Sequence, residues 1–268
     1  MTERFHQPVV LKLAEVRDEA EDIRTFFFDH PLQAAPGQFM MLWLPGVDLK
    51  PFGIAYLSAD RFGLTVAKVG PYTEKLFAVT AGGYLGVVGP YGTTFNTGTA
   101  KRIVLVGGGY GSATVAPLAD AAASAGTAVD FIVGARTAQR LLYQGRYQKN
   151  AAVRFHAVTD DGSAGTKGRT TDVLQKLIAE GDVAYIAACG PEKMLHAIAE
   201  MAVEAKIPCE VSIERYMKCG FGVCGACCMD TTGERVCVEG TVMSAEHALT
   251  LTEFGAYHRA RSGRKMPL

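Results

Sequence analysis

The chain carries no excess of charge. Lys and Arg number 27, and Asp and Glu also number 27. That balance argues against a basic footprint for nucleic acid or an anionic membrane. No apolar run approaches the ~20 residues of a membrane-spanning helix. Met1-Thr2-Glu3-Arg4 leads into no apolar segment of a secretory leader. The cysteines number seven, an odd count that argues against a closed disulfide framework. Unpaired thiols suit a reducing cytoplasm, which is the expected compartment. The six histidines are scattered, and no acid–base dyad or activated nucleophile stands out. His156 lies on an apolar strand and reads as a satisfied core histidine.

What is present is concentrated near the C-terminus. Five of the seven cysteines fall between Cys219 and Cys237. Cys219, Cys224, Cys227 and Cys237 have the spacing C-x4-C-x2-C-x9-C, that of a plant-type [2Fe–2S] site. Each iron needs two thiolates. A short loop around a compact cluster can supply three of the four, and the last returns from a separate segment. Gly220, Gly222 and Gly225 suit such a loop, which needs positive φ and close backbone approach. Its N–H groups can then point at the sulfurs. A structural zinc remains an alternative, although only Cys224 and Cys227 form a C-x2-C knuckle. Cys228 could substitute for Cys227, but the spacing favours Cys227. Cys189 and Cys209 lie in apolar surroundings and read as small buried hydrophobes.

With 268 residues, of which 49% are apolar, the chain has room for two domains and a small appendage. From Pro8 to about Asn96 short strands alternate with turns, which predicts a small antiparallel barrel. The run from Leu64 to Val69, with Val66 and Ala67, is one such strand. Gly70-Pro71-Tyr72-Thr73 follows it and opens a short helix. A turn of this kind is a plausible seat for pyrophosphate, since free N–H groups and the helix dipole face the anion.

From Lys101 near-continuous apolar strands alternate with helices, which predicts a parallel sheet covered on both faces. Ile103-Val104-Leu105-Val106 runs into Gly107-Gly108-Gly109-Tyr110-Gly111-Ser112. Ser112 takes the third glycine position of G-x-G-x-x-G, so this fingerprint alone is weak. Thr159-Asp160 and Cys189-Gly190-Pro191 follow two further strands. Placement after three strand ends is where ligands bind in open α/β sheets. NAD and NADP are not distinguished. Asp130 precedes its strand and is poorly placed for a ribose, and Arg136 reads as a solvated loop charge rather than a 2′-phosphate ligand.

The order of parts resembles the ferredoxin-NAD(P) reductase superfamily over essentially the whole length. Within it the chain is most similar to the electron-transfer subunits of two-subunit, NAD-dependent dihydroorotate dehydrogenases. The residues that carry the resemblance are Pro36-Gly37-Gln38-Phe39, Lys50-Pro51-Phe52-Gly53, Gly70 to Thr73, Gly107 to Gly111, Thr159 to Ser163, Cys189-Gly190-Pro191, and Ser212 to Cys219 with the cysteine run. The tail from Glu253 to Lys265 is similar to archaeal-type versions. The resemblance implies an FAD barrel over residues 1–98, an NAD-binding unit over 99–208 and a [2Fe–2S] unit over 209–268. FAD would contact Lys50, Pro51, Phe52, Gly53, Val66, Ala67, Gly70, Tyr72 and Thr73. NAD would lie over Gly107, Gly108, Gly109, Gly111, Thr159, Asp160, Cys189, Gly190 and Pro191. The cluster would face a TIM-barrel partner that carries FMN and oxidises dihydroorotate in pyrimidine biosynthesis, in a heterotetramer. Electrons would leave that FMN, pass singly through the cluster, and reach NAD+ as a hydride from FAD.

Four positions depart from the family pattern. Lys50 stands for an Arg, which loses a bidentate fork. Gly53 stands for a Ser whose hydroxyl would lie near the flavin. Tyr72 stands for a glycine, and Thr114 for a proline. Two alternatives accompany the main reading. One is a flavin and iron–sulfur subunit of another complex: a bifurcating ferredoxin–NADP reductase, a sulfhydrogenase or a sulfite reductase. The other is a non-catalytic subunit that holds zinc.

Overall fold

The computed structural model describes residues 5–148 and 150–268. Met1-Thr2-Glu3-Arg4, read above for the absence of a leader, lies outside them. The first unit comprises β1 (Phe5–Lys12), β2 (Glu15–Ala20), β3 (Ile23–Phe28), β4 (Phe39–Leu44), β5 (Asp48–Leu57) and β6 (Phe62–Ala67), then α1 (Pro71–Leu76) and β7 (Tyr84–Tyr91). The strands form one antiparallel sheet in the order β1-β7-β4-β5-β6-β3-β2. It curls so that Phe26, Met40, Leu42, Ile54, Leu64 and Val87, from five strands, meet in one core. Side chains alternate across a strand. Met40 and Leu42 therefore point inward, while Phe39 and Met41 point out. β7 contains Gly86, which a turn reading would take as a loop. A Cβ there would lie 2.6 Å from Trp43 Cε3, so the glycine lets the indole lie flat on the strand.

The second unit comprises β8 (Arg102–Gly108), α2 (Ser112–Ser124), β9 (Ala128–Ala135), α3 (Gln144–Tyr147), β10 (Val153–Thr159), β11 (Thr166–Lys167), α4 (Thr170–Glu180), β12 (Tyr185–Cys189), α5 (Glu192–Glu204), β13 (Cys209–Ser212), β14 (Val242–Ser244) and α6 (Ala245–Thr250). The sheet order is β11-β10-β9-β8-β12-β13-β14, and all neighbours run parallel except β14. Both faces are covered. Ile103 and Leu105 pack with α2, whereas Val104 and Val106 pack with α4 and α5. The chain reverses its direction of travel between β8 and β12, which makes the gap at their C-terminal ends the switch point of the sheet.

The expected division at residue 209 falls on the first residue of β13. β13 pairs with β12, and β14 pairs with β13. The cysteine segment is thus an excursion between two edge strands of the nucleotide-type sheet. A two-stranded ladder, β15 (Tyr257–Arg259) with β16 (Lys265–Pro267), ends the chain.

The two sheets are joined by polar contacts. Thr65 Oγ1 lies 2.9 Å from Tyr143 Oη, and both side chains are buried. Arg146 donates to the Ala55 carbonyl at 3.1 Å and stacks over Tyr56 at 3.8 Å. His156 lies 2.8 Å from Asp130, which also takes Arg102 at 2.9 Å and Arg154 at 3.0 Å. His156 is therefore a satisfied structural histidine, and Asp130 lies inside β9 rather than before it, committed to these three partners.

Candidate functional site

The wall of a crevice between the two sheets starts at β5. Pro51, Phe52 and Gly53 lie in this strand rather than in a turn, opposite Met41, Met40 and Phe39. Thr65, Ala67 and Thr73 continue the wall. The facing wall is built by Tyr110 in the turn after β8, by Ala113 and Thr114 in the first turn of α2, by Cys189 at the end of β12, and by Ser212 to Arg215 at the end of β13 and beyond it. The enclosed space is about 230 Å³. It is apolar with a few polar groups, as a planar aromatic ligand requires.

Not every expected flavin contact lines this space. Val66 is buried in the first unit's own core. Tyr72 is buried too, donates to the Leu42 carbonyl at 2.6 Å and stacks on Phe52. Lys50 is held by Asp48 at 2.8 Å and lies over the Tyr216 ring at 5.1 Å. The Gly70 turn also differs from expectation. Thr73 Oγ1 accepts the N–H groups of Val69 at 2.9 Å and Gly70 at 3.0 Å. Those two donors are engaged by the protein itself rather than left free for an anion.

A trough runs from the crevice across the switch point. Its central part, about 590 Å³, is lined by Gly108, Gly109, Tyr110, Gly190, Pro191 and Glu214, among others. Its far part, about 470 Å³, is lined by Gly108, Gly109, Arg136, Asp160, Thr170 and Pro191, among others. Gly107, Gly111 and Thr159 have different duties. A Cβ on Gly107 would lie 2.4 Å from Ser112 Oγ, and one on Gly111 would lie 2.5 Å from the Cys189 carbonyl. These glycines let the turn pack against its neighbours. Thr159 Oγ1 donates to the Ala164 carbonyl at 2.8 Å and stays buried.

Sequence reasoning left Tyr110, Thr114 and Glu214 out of the site. Tyr110 donates to Glu214 Oε2 at 3.2 Å across the junction of crevice and trough. The Glu214 charge pushes the Tyr110 hydroxyl up. The Cys189 thiol is pushed up to about 12 by burial, with the Thr114 and Ser212 hydroxyls against it. Tyr110 and Glu214 sit inside the motifs Gly107 to Gly111 and Ser212 to Cys219, but no local pattern marks their meeting with Thr114 and Cys189. They come from three segments that meet only through the sheet topology.

The cysteine loop begins where the crevice ends. Met217 lines the crevice, and Cys219 is two residues on, so the two Cα atoms are at most ~7 Å apart. The loop packs on the outer face of the first sheet. Met41, Tyr91, Cys227, Cys237 and Val236 share one core. Gly220, Gly222 and Gly225 all have positive φ. The thiols stand in two contacting pairs, Cys219 with Cys224 and Cys227 with Cys237. Burial raises Cys219, but N–H groups of Cys224, Phe221 and Val223 outweigh it and hold the thiol at about 7. The Cys237 side chain pulls Cys227 down to about 6. The four thiols stand as two pairs, and among the described residues no group of three or more His, Cys, Asp or Glu side chains is already gathered for a metal ion. Cys228 belongs to neither pair. Its backbone bridges to Arg235, and its side chain lines a small cavity with Asp230, Tyr257 and Arg259.

Salt links hold the loop. Arg215 makes a bidentate pair with Glu192 at 2.6 and 3.0 Å, and both are nearly buried. Arg235 pairs with Glu239 and donates to the Gly222 carbonyl at 3.1 Å. Arg259 and Tyr257 bind Asp230, which clamps the tail to the loop.

Comparison with known proteins agrees with this construction. Residues 214–248 match the iron–sulfur cluster binding domain of dihydroorotate dehydrogenase B, and residues 105–200 match the oxidoreductase NAD-binding domain. The chain is 40% identical over 262 residues to the probable dihydroorotate dehydrogenase B (NAD(+)) electron transfer subunit of Methanocaldococcus jannaschii, covering 98% of this chain and 99% of that one. The corresponding protein of Methanothermobacter thermautotrophicus is also 40% identical, with 97% of each chain covered. Among solved structures, the NADH-dependent reduced ferredoxin-NADP oxidoreductase matches with a TM-score of 0.82 at 30% identity, over 92% of this chain and 93% of that one. A ferredoxin NADP+ reductase from Neisseria gonorrhoeae with bound FAD and NADP shares the fold, with a TM-score of 0.64 at 16% identity over 74% of this chain and 91% of that one. The curled antiparallel sheet, the parallel sheet with its switch-point trough, and the paired cysteines after Met217 thus place the chain in the family of dihydroorotate dehydrogenase B electron transfer subunits.

Proposed function

We propose that this chain carries electrons between a partner subunit that oxidises dihydroorotate and NAD, in pyrimidine biosynthesis. The observation that carries this reading is the placement of the paired thiols directly beyond the crevice. One chain thereby offers a nucleotide trough, a flavin-sized crevice and a cluster loop in sequence. Bound flavin exchanges two electrons with a nicotinamide and one with an iron–sulfur cluster, which is the chemistry this order requires. Pro51, Phe52, Gly53, Ala67 and Thr73 form one wall of the flavin site, and Tyr110, Thr114 and Cys189 the other. Gly108, Gly109, Asp160, Gly190 and Pro191 line the path for NAD. Cys219, Cys224, Cys227 and Cys237 hold the cluster.

The partner is an FMN-bearing subunit, and the complex is a heterotetramer. Cys224 is exposed, and Phe221, Val223 and Val238 beside the loop show 40, 77 and 42% of their surface. An apolar face around a cluster suits a protein partner better than water. Among the described residues no helix is long and apolar enough to cross a membrane.

The test is reconstitution. Loaded with FAD and with iron and sulfide, the chain is mixed with the FMN subunit encoded in the same genome. Dihydroorotate-dependent NADH formation is expected, and Cys224→Ser abolishes it while NADH-to-dye reduction through the flavin survives. Coupling to reduced ferredoxin in place of dihydroorotate supports the second reading, a bifurcating reductase subunit, which the 0.82 TM-score match favours.

A further inference from the structure

Gly53 on β5 and Thr114 on α2 pack against each other where the two units meet at the crevice. A Cβ built on Gly53 would lie 2.7 Å from Thr114 Oγ1, 3.5 Å from its Cβ and 3.6 Å from its Cα. The threonine side chain therefore occupies the space that any side chain at position 53 would need. Thr114 lies in the first turn of α2 and is β-branched, which leaves it two common χ1 rotamers in a helix. The remaining hydroxyls of the crevice have other tasks. Thr65 is bound to Thr25 and Tyr143, Thr73 caps α1, Thr241 donates to the Gly37 carbonyl, and Tyr110 donates to Glu214. Ser212 and Thr114 both reach Cys189, but Ser212 is buried while Thr114 is only partly covered and opens onto the crevice.

We propose that Thr114 supplies the hydroxyl that contacts the reacting edge of the bound flavin, in place of a side chain on the first-sheet wall, and that Gly53 is its obligate partner. The inference rests on the reading that the isoalloxazine lies in this crevice. The pair is reciprocal. A hydroxyl is delivered from α2 only because position 53 is empty, and position 53 stays empty because the hydroxyl fills it. One consequence follows for control. The hydroxyl rides on the helix that begins at the nucleotide turn, so a nucleotide seated on Gly108 and Gly109 is linked through Gly111 and Ser112 to the group at the flavin edge.

The experiment is a double-mutant cycle in the full chain. Thr114→Val keeps the shape and removes the hydroxyl. It is expected to retain FAD stoichiometry and melting temperature, to shift the flavin absorption bands, and to slow flavin reduction by NADH about tenfold, the scale of one hydrogen bond. Thr114→Ser is expected to stay within about twofold of the parent. Gly53→Ser alone is expected to lower the melting temperature of the FAD-free protein and weaken FAD binding. Gly53→Ser with Thr114→Ala restores both. A Thr114→Val protein with parental bands and parental reduction rate overturns the proposal while leaving the flavin crevice intact. Additive effects of Gly53→Ser and Thr114→Ala on the FAD-free protein overturn the reciprocal pairing. A parent chain that holds no FAD overturns the crevice reading and the proposal together.

Discussion

Replacing Gly220 by alanine isolates what the cysteine loop demands of its backbone. Gly220 has φ +83°, a region that costs an L-residue about 1–2 kcal/mol. Its added Cβ would also lie 2.6 Å from Met41 Cγ and 2.8 Å from its sulfur. Met41 is fully buried in the core shared by the loop and the first sheet, so it has nowhere to retreat. Overpacking of this kind costs about 1–3 kcal/mol. The two terms together give about 2–5 kcal/mol against the closed loop. Gly233→Ala is the control. Gly233 has φ +72° in the same segment, and its added Cβ would meet nothing within 4 Å. It carries the backbone term alone. The difference of about 1–3 kcal/mol corresponds to a five- to hundredfold larger population of the open loop. The assay is the decay of cluster absorbance in loaded protein under excess chelator, where loss follows opening. Gly220→Ala should lose the cluster roughly five- to hundredfold faster than Gly233→Ala. Equal rates for the two variants would refute the contact with Met41 as a determinant of loop closure.

Two further predictions concern titration and reactivity. Asp230 is held at about 2 by hydrogen bonds from Arg259 and Tyr257, below its ordinary 3.8. A depressed carboxyl stabilises the fold fully above its ordinary range, and the contribution is lost as pH falls from there to about 2. The gap in melting temperature between the parent and Asp230→Asn should therefore be constant near neutrality and close on acidification below about pH 4; a gap that widens in acid contradicts the clamp. In the cluster-free protein, iodoacetamide at neutral pH should label Cys219 and Cys224 and spare Cys189, whose thiol is buried and pushed up to about 12, with peptide mass spectrometry as the readout. Early labelling of Cys189 would show that the crevice opens widely without ligand.

The parts of the molecule that were legible in the sequence are those whose signal is local. Cysteine spacing marks the thiolate set because a loop around a small core fixes it. Apolar runs such as Ile103 to Val106 mark parallel strands because both faces are covered. Strands stay hidden where local signal and tertiary role diverge. β2 reads Glu-Val-Arg-Asp-Glu-Ala and carries its charges at the edge of the first sheet. β7 is broken in sequence by Gly86, Gly89 and Pro90, yet pairs with β1 and β4. The crevice was less legible still. Gly53 and Thr114 each read as an isolated departure from a family pattern, and only the fold shows that they are one feature. Thr73 illustrates the reverse case. The motif suggests an anion seat, whereas the folded hydroxyl takes up two of the amides that such a seat would offer.

The cysteine excursion leaves the sheet after β13 and returns to it as β14, in antiparallel register with Val211 opposite Met243. Its two ends are thus fastened by hydrogen bonds that owe nothing to metal. In small zinc domains the ion supplies the folding free energy, and the empty chain is unfolded. Here the scaffold can stand first and the inorganic core can arrive later. Emptying the loop and unfolding the sheet that holds it are then separate events.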